Sequence, residues 1–527
     1  MRLVPALALC AAFAFTAPSF TSQARAADFT WAFSGDVLTL DPHSSNNSFT
    51  NAFAGNFYES LVRMNEKIEI EPSLAASWER ISPTVWRFKL RPGVTFHNGA
   101  PLTADDVVFT WERFNTPGSL NKSNLSAIRA VRAVDALTVD IETARPFPIL
   151  LNAIQQFYVM NRAWGVANGA VTASDLTAQV ENFAARNVNG TGPFRLVSRA
   201  NDGPTVIQAN AGWWDKPVHN LSKVTFIPLR SPATRTASLI SGAIDATVEL
   251  PLQDVERVRA DPKLQVIQGP ELRTIYLGFD QSRDELPASD VKGKNPFKDK
   301  RVREALYRAV DVEAIKKVVM RDTSWPAGFM ASPFLTGAPT DLNGRIPYDP
   351  VRAKALLAEA GYPDGFSVAI VCPNDRYVND ERICQAVAAM MARIGVKLTV
   401  QSETTAVWSR RINSLDVPMF MLGHAGLPLA DTFSVLAEVL HTRGDRRGGL
   451  NVGRYSNPEI DRLTDLVAEA TDEGERRRLI RQAFLLEKAD IGHIPLHQQP
   501  ITWAARKGVD LKQGPDNQLR LRLVTVN

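Results

Sequence analysis

Alternation of apolar and polar residues predicts β-strands near the start of the chain. Phe29, Trp31 and Phe33 are spaced by two, as in a half-buried strand, and Val85–Leu90 alternates in the same way before an Arg-Pro-Gly turn. Thr103 then suits a helix N-cap, and the acidic pair Asp105-Asp106 complements the dipole of the helix that follows. The pattern predicts strand, turn, strand and capped helix.

Helical spacing becomes prominent in the second half of the chain. Apolar residues at Val302, Leu306, Ala309 and Val310 predict one helix, and residues 349–362 predict another that ends at a glycine. A strand is predicted at 396–401, and Asn457-Pro458 begins a long helix whose solvated face is taken to include 473–481. A further helical stretch is predicted near 148–163. Mixed strands and helices indicate an α/β protein.

The N-terminus has the pattern of a cleavable export signal. Arg2 supplies a positive start, residues 3–17 form a short apolar core, and Ala24-Arg25-Ala26 fits a cleavage site. The apolar run is too short for a membrane anchor, which needs about 20 residues. The sequence therefore predicts a signal peptide at 1–26 and a periplasmic mature protein.

Composition narrows the function further. The 527 residues are 45% apolar and 22% charged, with a formal charge of +4, which is ordinary for a globular protein of two or three domains. No basic run is interleaved with aromatic residues, so nucleic acid is not expected as a partner.

Catalytic and cofactor motifs are absent from the sequence. It has no G-x-S-x-G elbow and no H-E-x-x-H zinc motif, and Pro495 interrupts the only histidine pair four residues apart, His493 and His497. The glycine-rich stretch 189–194 lacks the lysine and glycine spacing of a phosphate loop. No catalytic residue, metal site or cofactor is predicted, although a periplasmic hydrolase is kept as an alternative.

A series of motifs resembles one family. The stretch Glu71–Arg113 carries E-P-S-L-A-A-S-W and R-F-K-L-R-P-G-V-T-F-H-N-G, and G-T-G-P-F, N-x-x-W-W-D and L-x-x-G-x-I-D follow in order. These resemble family 5 of the bacterial extracellular solute-binding proteins, which serve ABC importers of peptides, nickel chelates and opines. The resemblance implies a two-lobed periplasmic-binding-protein fold (type II, cluster C), with an extra domain on the first lobe.

The resemblance also implies domain boundaries. Lobe I is expected at 27–58, 191–272 and 491–527, its extra domain at 59–190, and lobe II at 273–490. The expected function is capture of a small solute, a short peptide first, by closure of the lobes and its delivery to membrane permease subunits. Opine-like acidic conjugates or a nickel chelate are alternatives, and a monomer is expected.

The segment that binds a peptide amine in relatives is altered here. Their G-W-x-x-D reads Gly423-His424-Ala425-Gly426-Leu427, so the tryptophan is His424 and the aspartate is Leu427. Asp431 follows and either replaces that aspartate or caps the next helix. Because imidazole suits nickel, His424 makes a metal chelate an alternative ligand.

Other cleft residues are implied by position. Arg376-Tyr377 falls near the carboxylate clamp of dipeptide-binding relatives, and an arginine fork suits a carboxylate, although a solvated loop arginine is the alternative. The remaining candidates in segments that line the cleft are Ser45, Asn46, Asn47, Trp408, Arg410 and Arg411.

Two cysteines lie beyond the leader, Cys372 and Cys384. An oxidising compartment permits a disulfide between them, and two buried free thiols are the alternative. The export signal favours the disulfide.

Overall fold

Two long strands, Leu264–Phe279 and Ile494–Arg506, pair with each other and run through both halves of the largest sheet. They are seen in a computed structural model, which describes residues 26–527. The predicted signal peptide therefore lies outside the described residues, apart from Ala26. Among the described residues, no helix is both long and apolar enough to cross a membrane.

The strands are numbered in chain order as β1 (Ala27–Phe33), β2 (Val62–Met64), β3 (Ile70–Pro72), β4 (Ala75–Ser82), β5 (Val85–Leu90), β6 (Ile128–Asp135), β7 (Thr138–Thr143), β8 (Phe194–Arg199), β9 (Thr205–Ala209), β10 (Leu221–Pro228), β11 (Ala246–Thr247), β12 (Leu264–Phe279), β13 (Trp325–Pro326), β14 (Phe366–Pro373), β15 (Val396–Glu403), β16 (Met419–His424), β17 (Ile494–Arg506), β18 (Val509–Asp510) and β19 (Thr525–Val526).

The α-helices are α1 (Ser48–Ala54), α2 (Ala104–Phe114), α3 (Leu150–Ala153), α4 (Arg162–Ala167), α5 (Pro232–Ser241), α6 (Val255–Arg259), α7 (Lys300–Ala309), α8 (Val312–Ala314), α9 (Pro350–Glu359), α10 (Asp380–Ala392), α11 (Thr405–Asn413), α12 (Phe433–Val435), α13 (Pro458–Glu469) and α14 (Glu473–Asp490). A π-helical turn, Leu436–Leu440, continues α12.

The largest sheet has the order β15-β14-β16-β12-β17-β11-β1-β10-β9-β8, with β13 added to β17. Its pairing divides it into two halves. The first part of β12 pairs only with the end of β17, next to β11, whereas its last six residues also pair with β16. The register of β12 is interrupted between Pro270 and Thr274, opposite Gln498 and Pro500. Both chain crossings between the lobes therefore lie in this narrow region.

A separate four-stranded antiparallel sheet, β4-β5-β7-β6, packs with α2 around its own apolar core. That core draws on residues between Leu61 and Val159, within the expected extra domain. Strand β5 has the bounds predicted from alternation, and Thr103 begins α2 with a capping box to Asp106. The exact division into lobes stays a prediction.

Two helix predictions are wrong. The stretch near 148–163 contains only the short α3 and the start of α4, separated by residues in turn or extended conformation. Residues 473–481 are not a face of α13, because α13 ends at Glu469 and a new helix, α14, begins there. Asp472 caps α14 by accepting a hydrogen bond from the Glu475 backbone N–H.

Candidate functional site

An internal cavity of about 200 Å³ lies where β12 passes between the lobes, and we call it the inner cavity. It is bounded by the first lobe, the chain crossing and one loop of the second lobe. Its lining residues are Trp31, Phe33, Ser48, Phe49, Ala52, Phe53, Asn56, Val248, Glu271, Arg273, Leu427, Asp516, Asn517, Gln518 and Leu519. A concave site between two lobes that mixes aromatic and charged side chains is a typical ligand site.

The first lobe gives the inner cavity an aromatic wall. Trp31 packs against Phe226 with ring centroids 4.9 Å apart, and Phe49 and Phe53 lie within 6.0 and 6.5 Å of it. Trp31 is buried, yet its indole Nε1 has no hydrogen-bond partner in the structure. A buried donor without a partner is costly, so this wall can offer an N–H to a ligand oxygen.

The chain crossing supplies the charged side of the inner cavity. Arg273 Nε lies 3.3 Å from Glu271 Oε2, which also accepts a 2.7 Å hydrogen bond from Gln499 Nε2. The Arg273 guanidinium also lies 5.8 Å from the ring centroid of Tyr377. Glu271 is thus engaged by its neighbours, whereas Arg273 connects the cavity with the second lobe.

Arg376, Tyr377 and Trp408 come together as the sequence analysis grouped them. The Arg376 Nε donates to Tyr377 Oη at 2.9 Å, and its guanidinium lies 4.9 Å from the Trp408 ring centroid. Trp408 itself is buried, whereas Arg376 is exposed. Within residues 26–527 Arg376 has no ion-pair partner, so its guanidinium is positioned by aromatic faces and its charge is available to an anion.

The loop that carries Arg376 is fixed at both ends. The Asp380 carboxylate accepts hydrogen bonds from the backbone N–H groups of Arg376 and Tyr377, each at 3.0 Å. A disulfide joins Cys372 on β14 to Cys384 on α10, which confirms the predicted pairing and brackets the loop. The Val378 N–H also donates to Gln499 at 3.1 Å, so the loop is attached to the chain crossing.

The neighbouring arginines do not join this cluster. Arg411 makes an ion pair with Glu403 at 2.8 Å and donates to Gln401 at 2.6 Å, on the same lobe. Arg410 is exposed on α11. The structure therefore brings one residue of α11, Trp408, against Arg376.

A second cavity, of about 280 Å³, shares Leu427 with the inner cavity, and we call it the amide cavity. It is lined mainly by carboxamides, with one carboxylate: Asn46, Ser48, Asn51, Leu120, Asn121, Asn124, Gln156, Leu427, Pro428, Glu438 and Gln518. Asn46 is the predicted residue that reaches it. Ser45 is buried and accepts a hydrogen bond from Asn121 through its carbonyl, and Asn47 caps α1, so both act as supports.

His424 is the last residue of β16. It is buried near Glu438 of the amide cavity and Arg273 of the inner cavity. Its Nε2 has no hydrogen-bond partner and lies 3.8 Å from Glu438 Oε2. Burial, with a further contribution from the positive charge of Arg273, lowers the pKa of His424 to about 4. His424 is therefore uncharged at neutral pH.

Asp431 occupies a different environment. It is fully buried, and its two oxygens lie 2.7 and 3.1 Å from the guanidinium nitrogens of Arg476 on α14. It also accepts a 2.7 Å hydrogen bond from the Phe433 backbone N–H at the start of α12, although the N-cap residue of that helix is Thr432. Its charge is already compensated within the protein.

The lobes touch across the cleft through the loop that carries Leu427. Asn152 of the extra domain donates to the Leu429 carbonyl at 2.9 Å, and Gln155 donates to the Pro428 carbonyl at 3.2 Å. An ion pair between Arg145 and Glu469, at 3.4 Å, adds a contact nearer the surface. A ligand in either cavity is thus enclosed by groups from both lobes.

The comparisons with known proteins decide the family. Residues 69–445 match the family described as "Bacterial extracellular solute-binding proteins, family 5 Middle", which is more than half of the chain. The chain belongs to this family of solute-binding proteins. Its two-lobed α/β fold is the fold of the family, as the resemblance implied.

Relatives of this family 5 protein match it over nearly its whole length. It is 26% identical over 473 residues to the glutathione-binding protein GsiB of Pectobacterium atrosepticum, covering 87% of this chain and 86% of that protein. It is 27% identical over 524 residues to the periplasmic murein peptide-binding protein MppA of Escherichia coli, covering 92% and 90%. The solved structure of HbpA2 from Haemophilus parasuis matches with a TM-score of 0.80 and 24% identity, over 95% of this chain and all of that one.

Three residues of this family 5 site were not predicted from the sequence. Arg273 and Glu438 each stand as a charged residue within an apolar run, Leu272–Phe279 and Val435–Leu440, and that isolation is a signal that could have marked them. Arg476 belongs to the run 473–481, where it cannot be told from its exposed neighbours by composition. Only the structure shows that it is buried against Asp431.

Proposed function

We propose that this family 5 solute-binding protein captures a short peptide in the cleft between its lobes and delivers it to the membrane permease of an ABC importer. The observation that carries the peptide assignment is Arg376, whose guanidinium is held over Trp408 and has no anionic partner among residues 26–527. It is hydrogen-bonded to Tyr377, whose ring lies near Arg273 of the inner cavity. A terminal carboxylate fits this group, because the arginine fork binds it through two parallel hydrogen bonds.

The enclosing geometry supports capture by closure. The interrupted register of β12 at 270–274 and the contacts of Asn152 and Gln155 with the opposite loop describe two bodies joined by short crossings and closed over the cavities. Opening at the crossings admits the ligand, and contacts from both lobes then stabilise the closed form. The permease distinguishes that form from the open one.

The names of the relatives support a peptide of a few residues. One relative is described as glutathione-binding and another as periplasmic murein peptide-binding. Their periplasmic setting agrees with the export signal predicted at 1–26. We propose a periplasmic monomer without catalytic activity.

Opine-like acidic conjugates are the second candidate. The observation in their favour is Leu427, because the amine-binding aspartate expected from relatives is missing there and Asp431 is paired with Arg476. A ligand that carries carboxylates without a primary amine would need only the arginine side of the cleft.

A thermal-shift screen of protein refolded free of ligand tests the proposal. Di-, tri- and tetrapeptide pools, glutathione, opines and nickel chelates should each be added at saturating concentration. A specific peptide should stabilise the protein by about 2.7 kcal/mol at a hundredfold excess over Kd. Absence of any peptide stabiliser, or turnover of a bound peptide by pure protein, would overturn the assignment.

A further inference from the structure

The amide cavity contains one charged side chain among many neutral ones. Its lining holds six carboxamide residues, the hydroxyl of Ser48, three apolar residues (Leu120, Leu427 and Pro428) and the carboxylate of Glu438. Amide oxygens and a carboxylate are acceptors for N–H donors. Carboxamides also donate through their NH₂ groups, so the net negative charge of this lining comes from Glu438 alone.

Glu438 has no Lys or Arg ion-pair partner among residues 26–527, in contrast to three other carboxylates near the cleft. Glu271 is paired with Arg273, Asp516 with Arg520 at 2.6 Å, and Asp431 with Arg476. Within the described part of the chain, residues 26–527, the basic group that lies within 4 Å of the Glu438 carboxylate is His424, at 3.8 Å. Arg446 and Arg447 line a neighbouring cavity together with Glu438 but form no ion pair with it. Glu438 is half-buried, and this partial burial raises its pKa. A cation that enters the cavity stabilises the charged form of this carboxylate.

His424 provides the independent observation. It is nine-tenths buried, and its Nε2 is a polar atom without a hydrogen-bond partner at the Glu438 side of the cleft. Because its pKa is lowered to about 4, it is uncharged at neutral pH and does not neutralise Glu438. The His424 imidazole and the Glu438 carboxylate are thus neighbours, but their 3.8 Å separation is too long for a direct hydrogen bond.

We propose that Glu438 binds the cationic N-terminal amine of the peptide in the amide cavity. This rests on the proposed function and supplies the group that replaces the aspartate missing at Leu427. An ammonium has three N–H donors, which Glu438 and the surrounding carboxamide oxygens can accept together. Leu427 lines both cavities, so a ligand held there by its amine can extend past it toward Arg273 and the Arg376 cluster.

The assignment makes the ligand zwitterionic and gives the cleft a direction. The amine lies in the cavity between the extra domain and the second lobe, and the carboxylate lies beside the chain crossing. A free α-amine is then a requirement for tight binding, and its acetylation removes the charge that Glu438 receives.

A competition measured by native mass spectrometry tests this. Ligand-free protein is mixed with equal amounts of a pool of Ala-Xaa-Ala tripeptides and of the same pool acetylated at the N-terminus. The wild-type protein should favour the free-amine pool about tenfold or more, which corresponds to about 1.4 kcal/mol. Glu438→Gln should abolish this preference, and the matched control Glu79→Gln, at an exposed glutamate on β4, should retain it.

A second variant, Glu438→Lys, places a cation in the same cavity and should reverse the preference toward the acetylated pool. A preference for free amines that survives in both Glu438 variants would overturn the inference while leaving peptide binding intact. Equal binding of the two pools by the wild-type protein would do the same. If neither pool binds the wild-type protein, the inference fails for tripeptides, and the thermal-shift screen of the wider peptide pools decides the peptide function separately.

Discussion

Asp431 and Glu438 lie on one short stretch of the second lobe, and the two places differ in what surrounds the carboxylate. Asp431 is fully buried and is held by both guanidinium nitrogens of Arg476. Glu438 borders two cavities, and the basic group within 4 Å of its carboxylate is the uncharged His424. A buried pair is internally compensated and supports the fold, whereas an uncompensated charge at a cavity is available to a ligand. The same contrast separates Arg476 from Arg376.

The largest expected effect comes from removing Asp431, one partner of the buried pair with Arg476. Asp431→Ala leaves Arg476 buried and unpaired, and should lower the free energy of unfolding by about 3–5 kcal/mol. Chemical denaturation measures the loss. The matched variant Glu438→Gln should change stability by less than about 0.5 kcal/mol, since it alters a half-exposed group. Equal losses in the two variants would contradict the distinction.

Replacing Arg376, which has no ion-pair partner among residues 26–527, tests its role in binding the ligand. Arg376→Ala should weaken peptide binding by about 2–5 kcal/mol, the scale for truncating one partner of a charge pair that the bound ligand buries, with little loss of stability. Arg376→Lys should also bind less well, because lysine cannot form the two-pronged contact. Calorimetry measures both. Arg410→Ala, at the exposed arginine of α11, is the control and should bind as the wild type does.

The disulfide connects the two sides of the comparison, because it supports the fold and brackets the Arg376 loop. The double variant Cys372→Ser, Cys384→Ser should lose about 2–4 kcal/mol of stability. It should also bind peptide less tightly, since the loop is then less constrained. Intact-mass analysis after alkylation without reductant checks the bond in the wild-type protein, and two alkylated thiols would show that it is not formed.

Lowering the pH has the smallest expected effect on the free energy of unfolding, counted for each titrating side chain. Burial lowers the pKa of His43 and His497 to about 3, and that of His97 and His424 to about 4. The unfolded chain therefore binds more protons between these values and pH 6.5, so stability falls as the pH decreases, by about 1.4 kcal/mol per unit and histidine.

Buried carboxyls whose pKa is raised by burial, Glu59, Asp106 and Asp380, oppose this trend. Burial raises the pKa of Glu59 to about 7, so its contribution falls as the pH rises from about 4.5 to 7. Four histidines outweigh these carboxyls, of which Glu59 has its pKa raised to about 7, and the melting temperature should be lower at pH 5 than at pH 7. A melting temperature that is unchanged or higher at pH 5 would contradict the neutral state of the histidines.

Local pattern was sufficient for elements whose signals lie within a few residues. The strand at Val85–Leu90 and the cap at Thr103 follow from alternation and from the side-chain chemistry of a helix start. The prediction for 473–481 is wrong, because Asp472 ends the connection after α13 and caps a new helix by accepting a hydrogen bond from the Glu475 N–H. Ordered motifs supplied the two-lobed fold, which no single element determines.

The site was only partly predictable because its selectivity depends on distant contacts. Arg376, Tyr377 and Trp408 were grouped from their positions and do meet in space. The pairing of Asp431 with Arg476, by contrast, joins residues on different helices, and no periodicity encodes it. Glu438 becomes a candidate only when the partners of the other carboxylates are known.

A thermodynamic cycle tests the central claim, that Arg376 binds the carboxylate of a peptide. The peptide that stabilises the protein most in the screen and its C-terminal amide are each titrated by calorimetry into the wild-type protein and into Arg376→Ala. The account predicts that amidation weakens binding by about 2 kcal/mol or more in the wild-type protein and has little further effect in the variant. Equal losses on amidation in both proteins would show that Arg376 does not bind the carboxylate.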